Sequence, residues 1–159
     1  MKRFNLLIIL SVVALFAACH PQKVAMEAAH PISTQYLNDE GDGSITVRAY
    51  GQGRHRGDAL EQAYKNAVRD VMLNGVDVPG NALLSRPLIM EVNAEEKYAT
   101  FFNDFFKDDG PYVNFFSKRD RRHNTNDKSW GGTQLKLSTT VRVLRSDLEQ
   151  YLRECEIIK

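Results

Sequence analysis

Cysteine is scarce in this chain, with Cys19 and Cys155 the two examples in 159 residues. Two thiols cannot build the disulfide framework that holds many small secreted domains. Histidine is equally thin: His20, His30, His55 and His123 stand far apart, with no Cys or carboxylate at metal-ligand spacing, so no zinc or other metal site is expected. Asn38, Glu40, Asp42 and Gly43 imitate the opening of a calcium loop, but its twelfth position falls on Ala49, which has no carboxylate. Neither sign of charge prevails, with 21 Lys and Arg against 20 Asp and Glu, which removes the basic excess of a nucleic-acid binder. After Phe16 no apolar run is long enough to cross a bilayer. Neither G-x-S-x-G nor S-x-x-K occurs. The pairs Glu95-Glu96 and Asp108-Asp109 fall at expected helix ends, where backbone and solvent satisfy them. No enzyme and no cofactor is expected.

What is present begins at the N-terminus. Lys2 and Arg3 precede an apolar run from Leu6 to Phe16, followed by the small residues Ala17 and Ala18, the three-part layout of a secretory signal. The ending Leu15-Phe16-Ala17-Ala18-Cys19 resembles the lipobox of bacterial prolipoproteins, with Phe16 where that family usually has leucine. The resemblance implies removal of residues 1–18 and a diacylglyceryl and N-acyl lipid on Cys19, with palmitate-type chains as the only membrane attachment. Cys155 is then left without an intramolecular partner and is expected as a buried thiol beside Leu148, Tyr151 and Leu152.

Residues 19–43 hold Pro21, Pro31, Gly41 and Gly43 without a useful periodicity, and are expected to form a flexible tether holding the domain roughly 25 Å from the lipid. The folded domain is expected to span 44–159. Ile45, Val47 and Ala49 alternate with polar neighbours as in a half-buried strand. After the turn 51–57, Asp58 suits an N-cap with Glu61 opposite it, and Leu60, Ala63, Tyr64, Ala67, Val68, Val71 and Met72 form the apolar stripe of a helix over 59–73. Gly75 suits its end, and a short strand is expected at 88–92. Asn93 and Glu96 suggest a second helix through Phe106, Tyr112 to Ser117 a strand, Leu135 to Val143 its alternating return, and Ser146 with Glu149 a capping box opening a last helix. The order predicts an α+β fold: a small, mainly antiparallel sheet of three to four strands with helices on one face, preceded by the tether.

Two regions are candidate contact sites. Phe101, Phe102, Phe105 and Phe106 crowd the second helix, with six phenylalanines between 101 and 116, and are either core or a partner docking patch rimmed by Lys118, Arg119, Arg121 and Arg122. Arg54, His55 and Arg56 sit in a glycine-rich turn before a helix and are either a solvated basic rim or a contact for an anion or cell-wall glycan. Gly51, Gly53 and Gly57 match no nucleotide-binding loop.

The segment Ile45-Thr-Val-Arg-Ala-Tyr-Gly-Gln-Gly, followed by Asp58-Ala59, Ala63, Ala67 and Val68, resembles the N-terminal domain of flagellar assembly protein T and related small outer-membrane lipoproteins. In size, lipidation and layout the chain is similar to the accessory lipoproteins of type VI secretion complexes. His20-Pro21-Gln22-Lys23 lacks an acidic residue after Cys19, similar to lipoproteins that face the periplasm from the outer membrane. These resemblances imply a scaffolding subunit of an envelope-spanning secretion or motility complex, partnered by other envelope proteins, without nucleic acid, and with self-association left open. A periplasmic module binding cell-wall glycan or an anion at Arg54 to Arg56 is the alternative.

Overall fold

The structure, a computed structural model, describes residues 34–117, 129–131 and 134–159, with the backbone alone at 129–131 and 134. Its centre is the strand pair the alternation predicts. Strand β2 (Ile45–Gly53) and strand β5 (Gln134–Val143) run antiparallel with Ile45 opposite Val143 and Gly53 opposite Leu135. With a side-chain period of two, Ile45, Val47 and Ala49 face inward beside Leu137, Val141 and Val143, all buried. Strand β1 (Gln35–Asp39) pairs with β2 on one edge, while β3 (Phe116–Ser117) and β4 (Ser129–Gly131) pair with opposite ends of β5. Among the described residues the five strands are antiparallel throughout, in an α+β fold with helices on one face.

Strand β1 corrects the expected tether and domain start, because residues 35–39 belong to the sheet. The register shifts between Tyr36 and Asn38, so Leu37 bulges outward while Tyr36 packs against the core. The hairpin from β1 to β2 turns through Gly41 and Gly43 at φ 74° and 84°, where glycine avoids the clash other residues meet. Its carboxylates are spent locally: Asp39 accepts from the Gly41 N–H at 2.9 Å, and Asp42 accepts from the Ser44 N–H at 3.1 Å and pairs with Arg142.

Helix α1 (Arg56–Arg69) lies directly on the sheet. The reason is in the G-x-G step: a Cβ on Gly51 would stand 2.0 Å from the Ala59 carbonyl oxygen, and one on Gly53 2.6 Å from the Ala59 nitrogen. The small side chains of Ala59, Ala63 and Ala67 complete this close approach, and all three are fully buried. Asp58 is not the N-cap. That position is His55, whose N–H donates to Asp58 Oδ2 at 3.3 Å. The helix ends in a π-type turn, Asp70–Asn74, closed by the Gly75 N–H donating to the Asp70 carbonyl at 2.7 Å.

The π turn leaves the Val71 and Met72 carbonyls without helical donors, and the N–H groups of Leu88 and Ile89 take them at 3.2 and 2.8 Å. This replaces the expected strand at 88–92. Between these points, α2 (Ala82–Ser85) is a single turn capped by Asn81 Oδ1, which accepts from the Leu83 and Leu84 N–H groups at 3.2 Å each. The expected helix 93–106 is divided into α3 (Ala94–Lys97) and α4 (Ala99–Phe105). Asn93 sits at φ 63° and makes no side-chain cap, and Tyr98 at φ −109° breaks the axis, so that Ala94 and the pair Phe102 and Phe105 each reach the core. Residues 111–115 form a 3₁₀ turn where a strand is expected, opened by Pro111. Its three-residue repeat puts Tyr112 and Phe115 on one buried side. Helix α5 (Arg145–Glu154) starts after Leu144, without the Ser146 cap, and buries Leu148 and Leu152. No helix among the described residues is long and apolar enough to cross a membrane.

Candidate functional site

The aromatic helix is the core of the molecule. Phe105 is 1% exposed and is ringed by Phe101 and Phe115 in stacked contact at 5.4 and 5.7 Å between centroids, and by Phe106 edge-on at 4.9 Å. The rings continue through Phe102, Tyr112 and Phe116 to Tyr64, which stacks on Phe116 at 4.7 Å. Phe101 and Phe106 are half-buried and pack on the same cluster. The rings share one core with the aliphatic side chains of the sheet, the π turn and α5, and because α1 contributes mainly alanine to it, they supply much of the remaining volume. Lys118, Arg119, Arg121 and Arg122, expected as a rim, lie outside the described residues, as does Cys19.

At the edge of this cluster, Glu61, Lys65, Asp108 and Tyr112 form a charged clip joining α1 to the turn before the 3₁₀ segment. Lys65 Nζ lies 2.9 Å from both Glu61 and Asp108, and the Tyr112 hydroxyl donates to Glu61 at 3.2 Å. Burial works against the Lys65 ammonium, yet its hydrogen bonds to the two carboxylates raise its pKa above the usual lysine value. Burial, aided by the negative charge of Glu61, pushes the Tyr112 phenol up to about 12. This network is structural, since its members already satisfy one another.

Arg54, His55 and Arg56 are exposed at the start of α1. The carboxylate of Asp58 already occupies the helix N-terminus through its bond to the His55 N–H, so the positive helix end is answered from within the chain. Among the described residues no three His, Cys, Asp or Glu side chains are grouped so as to hold a metal ion. Cys155 is half-buried and unbridged. Burial and a hydrogen bond with Cys155 together raise the Tyr151 phenol above the ordinary tyrosine value.

The feature that sequence reasoning missed lies between residues 83–91 and α5 with its following residues. A groove of about 660 Å³ opens there, with Leu88, Ile89, Ile157 and Ile158 as apolar lining. The C-terminal wall forms because Glu156 adopts φ 58°, which turns the chain so that the Ile157 N–H reaches back to the Leu152 carbonyl at 2.9 Å. The opposite wall is held by Asn81, by the π-turn carbonyls, and by Arg145, which donates to the carbonyls of Leu83 and Arg86 at 3.3 and 3.2 Å. Gly75 makes this bracket tight: its φ is 76°, and a Cβ there would stand 2.3 Å from the Ser85 carbonyl oxygen.

On this fixed bracket Leu83, Met90 and nearby Val92 are 74, 72 and 84% exposed. The rim carries charge. Glu91 accepts from Lys97 at 2.6 Å and from the Tyr98 hydroxyl at 3.2 Å, and the Lys97 bond holds its carboxyl below the usual range. Arg145 sits deeper, 13% exposed, with its Nε buried and unpartnered, and burial lowers its pKa from the ordinary arginine value. The only signal in the sequence was a cluster of apolar residues, Leu83, Leu84, Leu88, Ile89 and Met90, within a stretch punctuated by Pro79, Gly80 and Pro87. No family model, curated protein or solved structure matches this chain.

Proposed function

We propose that this chain is an outer-membrane lipoprotein that holds its α+β domain in the periplasm as a non-enzymatic structural subunit of a multiprotein envelope complex, a secretion or motility apparatus. The observation that carries the docking part of this reading is the exposure of Leu83, Met90 and Val92 within ten residues on a bracket fixed by backbone hydrogen bonds. Large apolar side chains held rigidly in water cost free energy that contact with a partner recovers. The anchoring part is supported by the lipobox-like ending at Cys19. Several acyl chains on one residue give a stable membrane attachment.

The docking patch therefore moves from the aromatic helix to residues 83–92, because Phe102 and Phe105 are spent in the core. The test is crosslinking in intact cells, mild detergent extraction, purification of the tagged protein and mass spectrometry of what accompanies it. A stable set of secretion or motility envelope proteins is expected; the protein alone, or with cell-wall fragments, would overturn the reading. Cys19→Ser is expected to leave the fold intact and shift the protein from the membrane fraction to the soluble periplasmic fraction, and persistent membrane association would contradict a lipid-only anchor.

A further inference from the structure

We propose that the groove between residues 83–91 and the C-terminal helix seats an extended acidic segment of a partner protein, whose apolar side chains cover Leu83 and Met90 while a carboxylate meets Arg145 and Arg86. The assignment rests on the docking reading above and names the chemistry of the partner.

Charge selects the ligand. Arg86, Lys97, Arg145, Arg153 and Lys159 line the groove against the three carboxylates Glu91, Glu149 and Glu156. Two of those carboxylates are already engaged. Glu91 is held by Lys97, and Glu149 binds Arg153 at 2.7 Å, leaving Arg145 a looser approach of 3.7 Å to the same side chain. The partly buried guanidinium of Arg145, with Nε unpartnered and Nη2 bonded to the neutral carbonyls of Leu83 and Arg86, therefore keeps charge that Glu149 offsets only loosely, and a partly desolvated cation attracts an incoming carboxylate more strongly than an exposed one does. Arg86 makes no ion pair among the described residues and stands exposed at the rim, and Lys159, which also makes none, is offset at longer range by Glu91, whose carboxyl its charge helps hold down.

Shape narrows the choice further. A lipid leaflet cannot follow an apolar lining, Leu88, Ile89 and Ile157, that lies between two walls. A second copy of this chain would bring the same cationic rim against itself across a two-fold contact, setting like charges together. A small anion would answer Arg145 but leave Leu83 and Met90 in water. An extended peptide fills the groove and covers both, and its alternating side chains place acidic and apolar groups on opposite sides.

The test uses the full-length lipidated protein in cells, with benzoylphenylalanine replacing Met90 and, as control, Gln62 on the exposed side of α1. Illumination is expected to join Met90 to a partner segment in which Asp or Glu neighbours apolar residues. Arg86→Glu is expected to reduce that product about fivefold or more, since reversal of a rim charge repels an acidic ligand. Arg86 is exposed and makes no ion pair among the described residues, so an unchanged melting temperature separates this loss from unfolding. A product with phospholipid, with a second copy, or with a segment lacking carboxylates overturns the proposal, as does a yield indifferent to Arg86→Glu. No product at Met90, together with envelope proteins captured from other surface positions, overturns the groove assignment and leaves the docking reading standing. No protein captured from any position overturns both.

Discussion

Two regions of this domain are rich in large apolar side chains and dispose of them in opposite ways. From Phe101 to Phe116 the rings converge on Phe105, with Phe102, Tyr112, Phe115 and Phe116 buried and Phe101 and Phe106 half-buried around it. From Leu83 to Val92, three of the large apolar side chains stay in water although the backbone between them is held at Ser85, Leu88 and Ile89 by hydrogen bonds. The difference lies in what surrounds each segment. Helix α4 faces the 3₁₀ turn and Tyr151 of α5, which supply aromatic partners, whereas the bracket at 82–92 buries only Leu88 and Ile89 in the core and is otherwise fastened to the end of α1 and to Asn81 and Arg145 by hydrogen bonds. A high density of aromatics thus marks the interior here, and a modest run of aliphatics on a rigid connection marks the surface available to a partner.

The sharpest way to break this contrast is to remove its centre. Phe105→Ala is expected to destabilise the domain by about 3–5 kcal/mol in chemical denaturation, because it leaves a cavity among rings that cannot collapse; a loss below about 1 kcal/mol would show that the cluster is loosely packed. Gly51→Ala is expected to cost about 3 kcal/mol, at the upper end for overpacking, since its new methyl meets the Ala59 backbone rather than a movable side chain. Alkaline pH probes the edge of the aromatic region. The Tyr112 phenol is raised to about 12 in the fold, so its contribution is fully present below about pH 10 and is lost as pH rises toward 12. Melting temperatures measured across that range are expected to fall by the equivalent of about 2 kcal/mol more in the native protein than in Tyr112→Phe. Smallest of all, Leu83→Ser and Met90→Ser are each expected to change stability by no more than about 0.5 kcal/mol, the mark of exposed side chains that the isolated domain does not use.

The sequence pattern reveals the centre of the fold and blurs toward its edges. Ile45, Val47 and Ala49 against Leu137, Val141 and Val143 keep a strict period of two, because one face of both strands is buried. Strand β1 escapes this reading because Gln35-Tyr-Leu-Asn-Asp is an edge strand with a bulge, joined by backbone pairing and presenting Tyr36 alone to the core. The division of the second helix at Tyr98 and the 3₁₀ turn at 111–115 are set by tertiary packing of the rings, which local propensity does not encode. The G-x-G step before α1 was visible as a motif, but its purpose, letting a helix rest on a strand, depends on contacts with Ala59 and Ala63 across space. The groove depends on still more distant partners, since Arg145 bonds to the carbonyls of Leu83 and Arg86 from the far end of the domain.

The most direct test of the account compares the native protein with the double variant Leu83→Ser, Met90→Ser, each crosslinked in cells, extracted in mild detergent and analysed for co-purifying envelope proteins. The variant is expected to keep its melting temperature and membrane fractionation while losing the partners; partners retained at the native yield would contradict a docking role for Leu83 and Met90.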